Sequence, residues 1–442
     1  MTRSPSFPAR RWRPLIALGL GALLAGASAL VAQDTSHVEG VRVGITYAAG
    51  IRPGLIVVWA PGLDSVGAIL RRDLDYSDQF EMTPGAVNPH VGPVNDALYR
   101  GMGAAYAIEV TGVAGATAIR LHDLVAAQVR EDHIAVLPGV GAPDFRMAVH
   151  RVADEVVRWV TGQPGIAASR ILYGEGNRIW RMDSDGADRV AVTNPGERAL
   201  SPAWSPDATK MVFTLLGDGR GPLVIQDLAT GVRSPVPGAT TGLNITPTFS
   251  PDGQSVAYAR STEAGTDIYL TNVTQACCTQ RLTVGRYSDN LSPTFSPDAR
   301  RIAFVSNRPG VPQVYVMAAD GTAQELFAPF DFGATGDSYA PDWSPDGARV
   351  VFHREVSGTP QVFVLDVARR KVRQLTSTGR NEDASWAPDG RHAVFVSDRS
   401  GHRQLWVIDV ESGRIRQLAT PGATQLPAWS RRLAAVAPIF TR

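Results

Sequence analysis

"SPTFSPDARRIAFVSNR" (292–308) sets an aromatic ring and a Ser-Pro-Asp turn directly before a short apolar run. The phrase recurs as "SPAWSPDATKMVFTL" (201–215), "TPTFSPDGQSVAYAR" (246–260) and "APDWSPDGARVVFHR" (340–354). Its aromatics, Trp204, Phe249, Phe295, Trp343, Trp386 and Trp429, stand 45, 46, 48, 43 and 43 residues apart. Pro lies two positions before each aromatic except Trp386, where Ala384 takes its place. After the turn come an alternating run such as "RIAFVSNR" or "HAVFVSDR", a second such as "QVYVMAAD" or "QLWVIDVE", and a closing "RQLT" or "RLT". That is four short strands per unit. A repeat of this length with four strands is the mark of a β-propeller, and six aromatic lines predict six blades. "ILYGEG", "RIWRMDSDG" and "RVAVT" (171–193) supply three strands without an aromatic line, while "LPAWS" supplies a line without following strands. Pairing the last strand with the first three would close the ring and remove an open edge. The final "RRLAAVAPIF" is surplus to this count.

Turn chemistry accounts for the repeated phrase. Pro fixes φ at the first central position, Asp bonds nearby backbone, and Gly253, Gly347 and Gly390 permit a positive φ. The competing reading, a metal held by Asp207, Asp252, Asp298, Asp346 and Asp389, needs mutually repelling carboxylates at the axis. The turn places them at a blade edge instead. The segments entering the inner strands are polar, dissimilar loops: 194–200, 240–246, 285–291, 334–340, 378–384 and 421–426. On a rigid ring these form a recognition face or a set of solvated turns.

The rest of the composition narrows the function. Lys plus Arg (43) nearly cancels Asp plus Glu (42), so no broad field draws nucleic acid or an anionic membrane. Arg3, Arg10, Arg11 and Arg13 precede the apolar "PLIALGLGALLAGASALVA" (14–32), which reads as a secretory signal peptide over 1–32. The only cysteines, Cys277 and Cys278, are adjacent, so a disulfide framework is excluded and zinc lacks soft ligands. The eight histidines (37, 90, 122, 133, 150, 353, 392, 402) show no metal-type spacing and read as scattered surface or core residues. No G-x-S-x-G pentapeptide is present for a hydrolase nucleophile.

Between the signal and the repeats the period changes. "VRVGITY" (41–47) and "GLIVVWAP" (54–61) read as strands, and "AAYAIEVTGVAG" with "TAIRLHDLV" as a hairpin. "DSVGAILRRDLDYSDQF" reads as a helix capped by Asp64 or Ser65. A second helix runs from a capping Asp144 with Met147, Val149, Val152, Val156, Val157 and Val160 apolar, stopped by Gly162 and Pro164. The expected architecture is thus a small α/β domain (33–165), a linker near 162–170 and an all-β six-bladed propeller (170–442).

This combination resembles the TolB family, the soluble periplasmic component of the Tol-Pal envelope system. The resemblance is carried by the signal, "VRVGITYAAGIRPGLIVVWAPG" with its following helix, "ILYGEGNRIWRMDSDGADRVAVT" and the Ser-Pro-Asp lines. It implies a non-enzymatic, monomeric periplasmic adaptor without cofactor or metal. Such an adaptor binds a Pal-like peptidoglycan-associated lipoprotein at the propeller mouth. It meets a TolA-like inner-membrane protein through its N-terminal arm, supporting envelope integrity and cell division. Carried onto this chain, the mouth contacts would be Asn244, Asp289, Asn290, Ser338, Tyr339, Glu382 and Asp383. The arm would be residues 33–40, with Gln33, Asp34, Val38 and Glu39. Two alternatives stay open: a secreted propeller that binds a small ligand or glycan, and a channel-metal hydrolase. The middle of the α/β region, "EMTPGAVNPHVGPVNDALYRGMG", departs from the family pattern, as does the longer tail.

Overall fold

A computed structural model describes residues 52–441 apart from 86–87, 218, 286, 330–335 and 435–438. The expected signal peptide, the strand at 41–47 and the arm residues Gln33, Asp34, Val38 and Glu39 lie outside the described residues.

The first region is built on a six-stranded sheet. Its strand order is Glu81–Met82, Gly54–Trp59, Tyr106–Val113, Ala116–Asp123, Gln128–Ala135 and Phe440–Thr441. The first three strands run parallel and the remaining pairs antiparallel. Helices α1 (Asp64–Tyr76) and α3 (Phe145–Thr161) bury one face against it, with Leu55, Val57, Leu70, Val149, Val152 and Val156 at the centre. The spacing of the valines in α3 puts them on one stripe, which explains why this helix was legible from its period. A short helix, α2 (Asp96–Gly101), covers part of the other face through Tyr99. The α1 cap differs from expectation. Leu63 holds the N-cap without a side-chain bond, and Asp64 instead accepts from the Trp59 indole at 3.1 Å. Asp144 does stand at the N-cap of α3, again without a side-chain bond, and Gly162 ends that helix at φ 81°.

Six four-stranded antiparallel sheets follow. Blades 1 to 5 begin with the inner strands Arg198–Trp204, Leu243–Phe249, Asn290–Phe295, Ser338–Trp343 and Asn381–Trp386. Blade 6 takes its inner strand, Thr424–Trp429, from the end of the chain and its other three from residues 170–191. Indoles stitch the ring: Trp204 Nε1 donates to Ala428 O across the seam at 2.8 Å, and Trp386 Nε1 to Asp342 O at 3.1 Å. A second aromatic, fully buried, sits in the second strand of every blade as Phe213, Tyr258, Phe304, Phe352, Phe395 and Tyr173. Burial of such a side chain contributes roughly 1.5–3 kcal/mol each.

The described residues of the tail after Trp429 meet the α/β region. Leu433 N donates to Ala168 O at 2.8 Å, Arg151 to Ala434 O at 3.2 Å, and Phe440–Thr441 pairs with Ile134 and Ala135. Phe440 also packs against His133 and Trp159. Phe440 and Thr441 therefore extend the α/β sheet, whose far edge strand has an unsatisfied ladder to offer. No helix among the described residues is long and apolar enough to cross a membrane.

Candidate protein-binding site at the propeller mouth

The loops that enter the inner strands cluster at one end of the channel, and a repeated polar peg holds them. Arg260, Arg308, Arg354 and Arg399 each stack on the buried aromatic of their blade's second strand. Each also bonds a side chain at the start of the inner strand. Arg260 Nε donates to Asn244 Oδ1 at 3.0 Å, Arg308 to Asn290 Oδ1 at 3.1 Å, Arg354 to Ser338 Oγ at 2.9 Å and Arg399 to Asn381 Oδ1 at 2.7 Å. Asn244, Asn290 and Ser338 are fully buried. Their side chains are turned into the blades, where these bonds shape the mouth loops. Unpaired, these groups would leave polar atoms stranded in the blade. Asp289 is half-buried, its amide donating to Asn307 Oδ1 at 2.7 Å.

Inside the mouth every inner strand carries a one-step irregularity three residues before its aromatic. Ser201, Thr246, Ser292, Ala340, Asp383 and Leu426 all have φ between 48° and 54°. The ladder skips at each of them, a β-bulge that turns the strand toward the axis. Neighbouring bulges are joined through side chains. Ser292 N donates to Thr246 Oγ1 at 3.0 Å, and Leu426 N to Asp383 Oδ2 at 3.4 Å. Ala340 has no acceptor to offer, so Asp383 N instead donates to His353 Nδ1 at 3.2 Å. An imidazole accepting at Nδ1 must be neutral. Burial, with Arg380 and Arg403 nearby, lowers His353 to about 4 despite Glu382. Burial likewise raises the Asp383 carboxyl.

Tyr339, His353, Glu355, Arg380, Glu382 and Asp383 of blades 4 and 5, with Ser292 and Leu426 of the flanking blades, line a cavity of about 370 Å³. Three of the expected contacts, Tyr339, Glu382 and Asp383, therefore come together. The Tyr339 phenol donates to Asp337 at 3.1 Å; burial, Asp337 and Glu355 push it up to about 12, so it stays a donor. Sequence reasoning missed His353 and Tyr287. His353 lies in a second strand, outside the loops. Tyr287, in the loop "GRYSDNL", is 93% exposed, and exposed tyrosines are frequent anchors of protein contacts.

The opposite end holds the turns. In blades 1 to 4 the Ser hydroxyl donates to the turn Asp and accepts the amide that closes the turn, as Ser205 does with Asp207 and Lys210. Two blades reach the left-handed position without glycine, through Ala208 (φ 55°) and Ala299 (φ 61°). Blade 5 has Ala387 in place of Ser, and Asp389 takes over: it accepts from the amides of Arg391 and His392 and from His392 Nδ1 at 2.7 Å.

This exception builds the joint with the α/β domain. His392 Nε2 faces Asp78 at 3.1 Å, and Arg414 donates to Asp78 at 2.9 Å with Arg416 at 3.6 Å. Burial opposes these charges. Even so, Asp389 and Asp78 raise His392, while His392, Arg416 and Arg414 hold Asp78 below the usual carboxylate range. A second cluster centres on His150 of α3, 2.6 Å from Asp73 and 3.6 Å from Asp183. Burial works against its charge, yet the two carboxylates raise His150 to about 9. His150 and His392 are thus not scattered residues but the centres of two carboxylate clusters. Guanidinium groups pair with further carboxylates of both clusters, Arg72 and Arg146 with Asp185 and Arg391 with Asp409.

The chain matches the model of the TolB beta-propeller domain over residues 157–329 and 332–439. It is 28% identical over 229 residues to the Tol-Pal system protein TolB of Bordetella avium, 49% of this chain and 51% of that one. It is 39% identical over 112 residues to the protein of the same name from Methylococcus capsulatus, 24% of this chain and 26% of that one. These alignments span about a quarter to a half of the relatives' length. The crystal structure of TolB from Acinetobacter baumannii superposes with a TM-score of 0.74 at 25% identity, covering 87% of this chain and 98% of that one. The chain belongs to the TolB family.

Proposed function

We propose that this protein is a non-enzymatic periplasmic adaptor of a Tol-Pal system. In this reading it binds a peptidoglycan-associated lipoprotein at the propeller mouth and a TolA-type inner-membrane protein through residues 33–40. The observation that carries the reading is the asymmetry of the ring. One end repeats a single turn and is partly covered by the α/β domain, while the other displays a different loop on every blade. Tyr287, Tyr339, Glu382 and Asp383 are the side chains with which the mouth would meet its partner. Buried side chains such as Asn244 would act only by holding the loops.

Calorimetric titration of the mature protein with the soluble domain of a Pal-type lipoprotein tests the first contact. The expected result is one-to-one binding, weakened by Tyr339→Ala and by Glu382→Ala. No heat at tens of micromolar concentration of either protein would sink it. Deleting residues 33–40 should abolish capture of the TolA-type partner and leave the folded core intact.

A further inference from the structure

Cys277 and Cys278 are joined to each other by a disulfide in blade 2. They open the strand Cys277–Arg281, the outermost of its blade, whose outer side carries no further strand among the described residues. Cys278 is exposed and Cys277 half-buried. Cys278 has φ 65°, in the left-handed region that a residue with a Cβ seldom enters. The ladder pairs Leu270 with Gln280 and then Asn272 with Cys277, so the strand carries one extra residue at this point. That is the geometry of a bulge at an edge.

The bulge has supports other than the sulfur bridge. Thr271, fully buried, donates from Oγ1 to Cys277 O at 3.3 Å, and its hydroxyl lies 3.0 Å from that of Thr279. On one side of the site the strand is therefore pinned to the blade; on the other, sulfur meets solvent. No third cysteine exists in the chain to divert an exchange reaction.

We propose that Cys277–Cys278 is a thiol–disulfide exchange site, opened and closed by a dithiol reductant while blade 2 stays folded. A thiolate of the dithiol attacks the exposed Sγ of Cys278. The S–S bond breaks, its electron pair leaves on Cys277 Sγ, and that sulfur takes a proton from water. The second thiol of the reductant then attacks its own sulfur in the mixed disulfide and releases Cys278 as a thiolate, which is protonated in turn. The reductant is oxidised to a disulfide, and the cysteine pair gains two electrons and two protons. Accessibility decides the contrast with a structural bridge: exposed disulfides are the labile ones, whereas buried bridges resist the thiol pool.

The test uses the mature chain, purified in air, with dithiothreitol as the probe and maleimide labelling read by intact mass. No label is expected before reduction and two labels after millimolar dithiothreitol without denaturant. The melting temperature should stay unchanged, and the intramolecular bond should return on oxidation. Thiols that label before any reductant, or a disulfide-linked dimer on a non-reducing gel, would overturn the assignment. So would labels that appear only in guanidinium, or a melting temperature that collapses on reduction. Cys277→Ser with Cys278→Ser should fold and take no label, which ties the signal to this pair.

Discussion

Histidine is used in opposite charge states at the two ends of the propeller. Near the mouth, His353 accepts a backbone N–H and stands close to Arg380 and Arg403, so it is neutral. At the turn end, His392 has a carboxylate on each ring nitrogen and His150 is flanked by Asp73 and Asp183, which raises both and favours the imidazolium. All three are buried. The side chain is the same, and its neighbours set the charge. The difference teaches that the turn end is an electrostatic joint, while at the mouth the buried imidazole stays neutral beneath variable loops.

The largest effect should come from cutting the joint. Asp78 is the one α/β-domain carboxylate shared by His392, Arg414 and Arg416. Asp78→Ala leaves His392 with Asp389 alone and takes the shared carboxylate from Arg414 and Arg416; breaking a buried pair in this way costs about 3–5 kcal/mol. Urea denaturation should show the loss, and Asp78→Asn should lose less because it still accepts hydrogen bonds. A loss below about 1 kcal/mol would mean that the His150 cluster and packing hold the domains together without help from Asp78.

Acid and alkali should then act on different ends. His150 rises from 6.5 to about 9 on folding, so its contribution is whole below pH 6.5 and is lost as pH rises through 9. His353 falls from 6.5 to about 4, so the unfolded chain takes up a proton first and stability drops as pH falls from 6.5 to 4. At roughly 1.4 kcal/mol per unit, each limb spans at most about 3.5 kcal/mol. Melting curves across pH check this: His150→Gln should flatten the alkaline limb and His353→Gln the acid limb. If either variant flattened both limbs, the two ends would not be independent.

What could be read without coordinates followed from periodicity. The six aromatic lines repeat because each blade needs the same ring at the same place, and the valines of α3 repeat because one face is buried. Both leave a local trace. The joint leaves none, since Asp78 and His392 are distant in sequence and become partners only when the domains dock. The nearest local signal was the loss of Ser at Ala387, which frees Asp389 to bond His392. At the mouth, Asn244, Asn290 and Ser338 were singled out because they are polar residues in variable loops. Polarity there serves the Arg pegs, and the stacking partners that explain this lie in other strands. The tail after Trp429 could not be placed because two residues are too short for a period to appear.

The smallest effects separate the two ends most cleanly. Tyr287→Ala removes an exposed ring, so stability should move by less than about 0.5 kcal/mol. If the ring anchors a partner, mouth binding should weaken about tenfold, the scale of a contact worth more than 1 kcal/mol. Ala208→Gly acts at the other end, where the turn holds φ at 55°. Leaving a Cβ there costs roughly 1–2 kcal/mol, and glycine gives back about 0.5–1 kcal/mol through its greater freedom when unfolded. The net gain should be about 0.5 kcal/mol of stability with binding at the mouth unchanged, measured by thermal melts and calorimetry on the same preparations. If Ala208→Gly shifted binding, the Ser-Pro-Asp turns would reach the mouth through the blades, and the division between a structural end and a recognition end would fail.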